Sequence, residues 1–104
     1  MSRGPDAATM LERALLRAAE AAGCVLAVAE SDWTRWASVT FAGARHRLVL
    51  AGEASAGLEA WVAGLPEAEL PLRGHLVADV VVDRVVRDGS VASIALEVLT
   101  VEER

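Results

Sequence analysis

Tyrosine is absent from this 104-residue chain, phenylalanine occurs once and tryptophan three times. The core must therefore come mainly from Ala, Val and Leu, a composition that suits small-residue helices lying close on a Val-rich sheet. Cysteine occurs once, at Cys24, which excludes an intrachain disulfide and a cysteine-based metal cluster. Cys24 opens the apolar run Cys24-Val25-Leu26-Ala27-Val28, where a buried, inert thiol is the usual outcome. A nucleophilic thiolate would need a base and an open, electropositive setting. No stretch approaches the roughly 18 apolar residues of a membrane span. The start, Met1-Ser2-Arg3-Gly4-Pro5-Asp6, lacks an apolar signal core. The expected location is cytoplasmic, with no membrane partner.

Basic charge is also short. Ten basic residues stand against fifteen acidic ones, a net charge of −5, and a nucleic-acid binder needs a basic stripe instead. The closest approach is Arg45-His46-Arg47. Alternation puts Arg45 and Arg47 on one side of a strand, solvated or paired with carboxylates. Nucleic acid is not an expected partner.

What is present reads as a single α+β domain over 1–104, with 1–5 expected to be disordered. Asp6 can cap a helix in which Met10, Leu11, Ala14, Leu15, Ala18 and Ala22 recur at helical spacing, and Gly23 can stop it. Residues 24–29 are strand-like, Glu30-Ser31-Asp32 is a turn signal, and 33–41 alternate as a second strand. Ala42-Gly43-Ala44 reads as a hairpin connection to a third strand, 45–51. A second helix follows, with Leu58, Trp61, Val62 and Leu65 as its buried stripe, ended by Gly64 and Pro66. Two more strands complete the order α-β-β-β-α-β-β: a mainly antiparallel five-stranded sheet with both helices on one face.

The last third carries most of the functional signal. His75 to Asp83 and Ile94 to Val101 form one long hairpin whose even positions 76 to 82 and 94 to 98 are all apolar. Its odd positions mix Val77, Asp79, Val81, Glu97 and Leu99. A two-residue turn at Asp88-Gly89 would pair even positions with odd ones and scramble the apolar face. A three-residue loop, Arg87-Asp88-Gly89, pairs Val82 with Ile94 and Val80 with Leu96. That register sets Asp79 opposite Glu97, a like-charge pair that destabilises by about 0.2–1 kcal/mol. Arg45, Arg47, Arg84 or a metal ion could relieve it. The odd face is too apolar for a solvated antiparallel face, so a second copy of the chain is the expected cover, in a homodimer.

Other chemistry is weakly signalled. His46 and His75 are the only histidines, and with Asp79 and Glu97 they are the minimum for an acid–base or ligand pocket. Their spacing matches no recognised metal motif. No serine has nucleophile-elbow context, and the glycines make no phosphate-binding loop. Trp33 and Trp36 fall in opposite phases, so one of them should line a groove, an interface or the sheet's second face.

The order of elements resembles that of the small, acidic, dimeric chaperones of bacterial type III secretion, which run α-β-β-β-α-β-β and usually add a final helix. The sequence to Arg104 carries no counterpart of that helix. The expected function is a non-catalytic, chaperone- or adaptor-like homodimer that binds a protein or peptide and needs no cofactor or metal. Trp33, Trp36, Val77, Val81 and Leu99 are its apolar contacts, and Arg45, Arg47, Asp79 and Glu97 its polar ones. The alternatives are a small enzyme or ligand-binding domain using His46, His75, Asp79 and Glu97, and a structural subunit of a phage or secretion assembly.

Overall fold

The computed structural model describes residues 6–103; the expectation for 1–5 lies outside them. Helix α1, Ala7–Ala21, starts where Asp6 accepts a hydrogen bond from the Thr9 N–H at 2.8 Å. That bond satisfies one of the helix's free amides and holds the Asp6 carboxyl below its ordinary pKa. The helix ends in a Schellman pattern: Cys24 N–H reaches the Ala19 carbonyl, Gly23 N–H reaches Glu20, and Gly23 takes φ 83°. Leu11, Ala14, Leu15 and Ala19 form the buried stripe.

Strands β1 (Leu26–Ala37) and β2 (Ala42–Glu53) precede helix α2 (Ala56–Gly64), and β3 (His75–Asp88) and β4 (Val91–Glu102) follow it. The Ser55 hydroxyl caps α2 by accepting from the Leu58 N–H at 3.0 Å. The sheet is antiparallel throughout, in the order β1-β2-β4-β3. Both helices pack on one face. There Leu11, Leu15, Leu58 and Leu65 meet Leu48, Leu50, Ile94, Leu96, Val98 and Val80, all at most 3% exposed. Among the described residues no helix is long and apolar enough to cross a membrane.

The sheet has four strands, not five. Residues 24–29 and 33–41 were expected to be separate strands divided by a turn at Glu30-Ser31-Asp32. Instead those three residues pair with Val49, Leu48 and Arg47, and the phase change comes from a bulge at Ala29. One inserted residue switches which parity faces inward, as a turn would. The connection to β2 lies at 38–41, not at 42–44. Ser38 closes it by donating from its N–H to the Phe41 carbonyl at 2.7 Å.

The terminal hairpin departs in a related way. Its turn is Gly89-Ser90, two residues long, closing on the pair Asp88 and Val91, with Gly89 at φ 63°. Glycine at the first central position is the type II′ arrangement. Such a turn pairs even with odd, as expected of a two-residue turn. The parity is then restored inside β3 by a bulge at Asp83 and reversed again by one at Ala78. Val80 therefore faces Val98 and Val82 faces Leu96. The inward set of β3 is Val77, Val80, Val82 and Val85, while Leu76 points outward, 56% exposed. Bulges on an edge strand also twist it away from further pairing.

Candidate interaction face of the sheet

Residues opposite each other in a ladder share a face, so the pairing sorts every candidate. On the face without helices, one row runs Trp36, Gly43, Val101, Leu76. The next is Thr34, Arg45, Leu99, Asp79, and the third is Asp32, Arg47, Glu97, Val81. Trp36, Arg45, Arg47, Asp79, Val81, Glu97 and Leu99 thus share one outer surface. Val77 does not: the bulge at Ala78 turns it inward, where it packs on the core. Trp33 is opposite His46 on the helix-bearing face and half exposed.

The like-charge contact between Asp79 and Glu97 is absent. Asp79 stands opposite Leu99, and Glu97 lies between Val81 on one side and Arg47 on the other. Arg45 Nη1 donates to Glu97 Oε1 at 2.9 Å, and Arg47 Nε is 3.8 Å from Oε2. Both guanidinium groups are thereby directed at one carboxylate, and neither reads as a phosphate ligand. Around this ion-paired centre the outer face exposes Leu76, Val81, Val86 and Val91 at 44–56%. Leu76, Val86 and Val91 are exposed apolar residues of this face that alternation alone misassigned or passed over. The only sequence signal for them is the break in alternation at Asp83 and Arg84 that accompanies the bulge.

Trp36 has its ring over Gly43. A Cβ on Gly43 would stand 3.0 Å from that ring and 1.9 Å from the Thr100 carbonyl oxygen, so only glycine fits. The Trp36 indole N–H is enclosed without a hydrogen-bond acceptor.

The histidines belong to the other side. His46 is 2% exposed, with Nε2 2.9 Å from the hydroxyl oxygen of the fully buried Thr100. That hydroxyl reaches the Ala44 carbonyl at 3.4 Å, which assigns Nε2–H as the donor to Thr100. Burial holds the imidazole pKa below its ordinary value; nearby His75 adds to this, while Asp6 and Glu12 oppose it. His75 is partly buried, opposite Glu102, and its Nδ1 has no hydrogen-bond partner. His46 and His75 thus sit on the face opposite Asp79 and Glu97, and the four surround no common cavity. Among the described residues, no three His, Cys, Asp or Glu side chains are placed to hold a metal ion. Cys24 is buried.

Comparison with family models, with curated proteins and with solved structures returns no match.

Proposed function

We propose that this protein is a non-catalytic, cytoplasmic protein-binding module that acts as a homodimer, the two copies meeting through the outer face of the sheet. The observation that carries the reading is the one-sided placement of the helices. It leaves Leu76, Val81, Val86, Val91, Leu99 and Val101 on an uncovered sheet surface. So many large apolar side chains open on one sheet face, even interleaved with Asp79, Arg84 and Glu97, suit a surface that is covered in use.

The size is adequate. Four strands about 4.8 Å apart and roughly 11 residues long give a flat area on the order of 700 Å². A stable interface takes about 800 Å² per partner. The charge arrangement also suits a self-complementary contact. Glu97 already has its cations, so covering it strands no charge there, and Asp79 on the same face would take a cation from the second copy. In such a dimer β1 keeps a free edge beside Trp33, where an extended segment of a client protein could add as a strand.

Sedimentation velocity over a dilution series tests the dimer. The wild-type chain should sediment as a dimer at micromolar concentration. The double variant Val81→Asp, Val86→Asp should sediment as a monomer with an unchanged far-ultraviolet circular dichroism spectrum. A wild-type monomer at micromolar concentration would overturn the reading.

A further inference from the structure

The helix-bearing side holds a second feature, independent of the outer face. Past the end of the core, the tip of the β3–β4 hairpin extends beside α2 and the two enclose an open cavity of about 510 Å³. Its lining is mostly apolar, from Leu58, Val62, Val85 and Ala92. Val85 is 44% exposed although it belongs to the inward set of β3, and it faces this cavity together with Leu58 and Val62 of α2. Glu59 and Arg87 are its charged lining residues and form a salt bridge with each other, both side chains half exposed.

We propose that this cavity binds a small apolar α-amino acid as its zwitterion, with the ammonium on Glu59, the carboxylate on Arg87 and the side chain between Leu58, Val62 and Val85. Charge complementarity selects this occupant. A simple carboxylate could take Arg87 only by leaving Glu59 without its cation, and a simple amine would strand Arg87. A zwitterion replaces the existing ion pair charge for charge. Opening that pair costs little while both groups are half exposed and screened by water; a ligand seated in the cavity displaces that water, and only then does a charge left without a partner become costly. The volume lies within the range of small-molecule sites, which combine apolar walls with a few fixed polar groups. Arg87 presents a planar fork suited to a carboxylate. Glu59 lies in the first turn of α2, on the wall facing the hairpin tip.

Isothermal titration calorimetry with L-leucine, leucinamide and 4-methylpentanoate tests the site, with Trp61 on α2 as a fluorescent reporter. Leucine should bind at least tenfold more tightly than either analogue. Glu59→Gln should erase the preference over 4-methylpentanoate, and Arg87→Gln the preference over leucinamide. Both positions are half exposed, so neither variant threatens the fold. Ala63→Leu, at an exposed helical position on the cavity wall, should abolish binding of all three. The Val81→Asp, Val86→Asp chain should bind leucine as the wild type does, which separates this site from the dimer. No saturable leucine binding in the millimolar range would overturn the proposal, as would a preference unchanged in the two charge variants.

Discussion

The two faces of β4 offer the plainest contrast in the molecule. Inward, Ala92, Ile94, Leu96, Val98 and Thr100 are at most 2% exposed. Outward, Ser93, Ala95, Glu97, Leu99 and Val101 are only partly covered. The two sets share a strand, a backbone ladder and much of their chemistry; what differs is the pair of helices over one of them. Burial here is thus decided by neighbours more than by residue type. Leu96→Ala should cost about 2–5 kcal/mol, because it opens a cavity in a packed core. Leu99→Ala should cost the dilute monomer well under half as much. Urea denaturation of both variants checks this. In a homodimer the Leu99→Ala penalty should grow with protein concentration while the Leu96→Ala difference should not, because association adds to stability by mass action. Equal penalties at high dilution would break the contrast and mean that the outer face is packed within one chain.

His46 sharpens the same contrast with a proton. It sits on the inward face, where burial disfavours the imidazolium and lowers its pKa from 6.5. The unfolded chain therefore takes up the proton first as pH falls. The contribution to stability is complete above about pH 6.5 and is lost as pH drops toward the folded-state value. Urea midpoints at pH 7.5, 6.5 and 5.5 should fall in that order, with most of the loss below the unfolded pKa. His46→Gln should be less stable throughout and should lose most of this slope. A midpoint for the natural protein that holds or rises on acidification would show that the buried imidazole accepts its proton freely.

The cap and the glycine stop of α1 were legible because each rests on a short-range signal, Asp6 to Thr9 and Gly23 after Ala22; its stripe was legible in part, since Leu11, Ala14 and Leu15 are buried as expected but Ala19 takes the place of Ala22, which is exposed. The opposite phases of Trp33 and Trp36 were legible too, and the pairing sets them on opposite faces. The strand count and the facing of β3 were not. A bulge and a turn both shift the apolar phase by one residue, and alternation records the shift without recording its cause. At Ala29 the shift read as a turn at Glu30-Ser31-Asp32; at Ala78 and Asp83 it went unread, and Leu76 and Val77 exchanged faces. Pairing Arg45 or Arg47 with a hairpin carboxylate needed only alternation. Choosing Glu97 free of Asp79 needed the true register.

The smallest expected effect lies at that carboxylate. Glu97 is the most covered member of the outer-face ion pairs, with its side chain 27% exposed against 54% for Arg45 and 75% for Arg47. Surface pairs contribute about 0–1 kcal/mol because water screens them and holding long side chains still costs entropy. Glu97→Gln keeps the shape and the amide can still accept from Arg45, so the dilute monomer should lose only about 0.5 kcal/mol. The loss should shrink further as salt rises toward 1 M, where the Debye length is about 3 Å. In the dimer the outcome should differ in kind. Removing the carboxylate leaves two guanidinium groups uncompensated on a surface that has to be desolvated, and a buried unpaired charge costs far more than an exposed one. The same substitution should therefore be nearly silent in unfolding at low concentration and should weaken association at least tenfold by sedimentation. If it is silent in both, Arg45 and Arg47 remain in water, and the covered part of the face must lie toward Val86 and Val91.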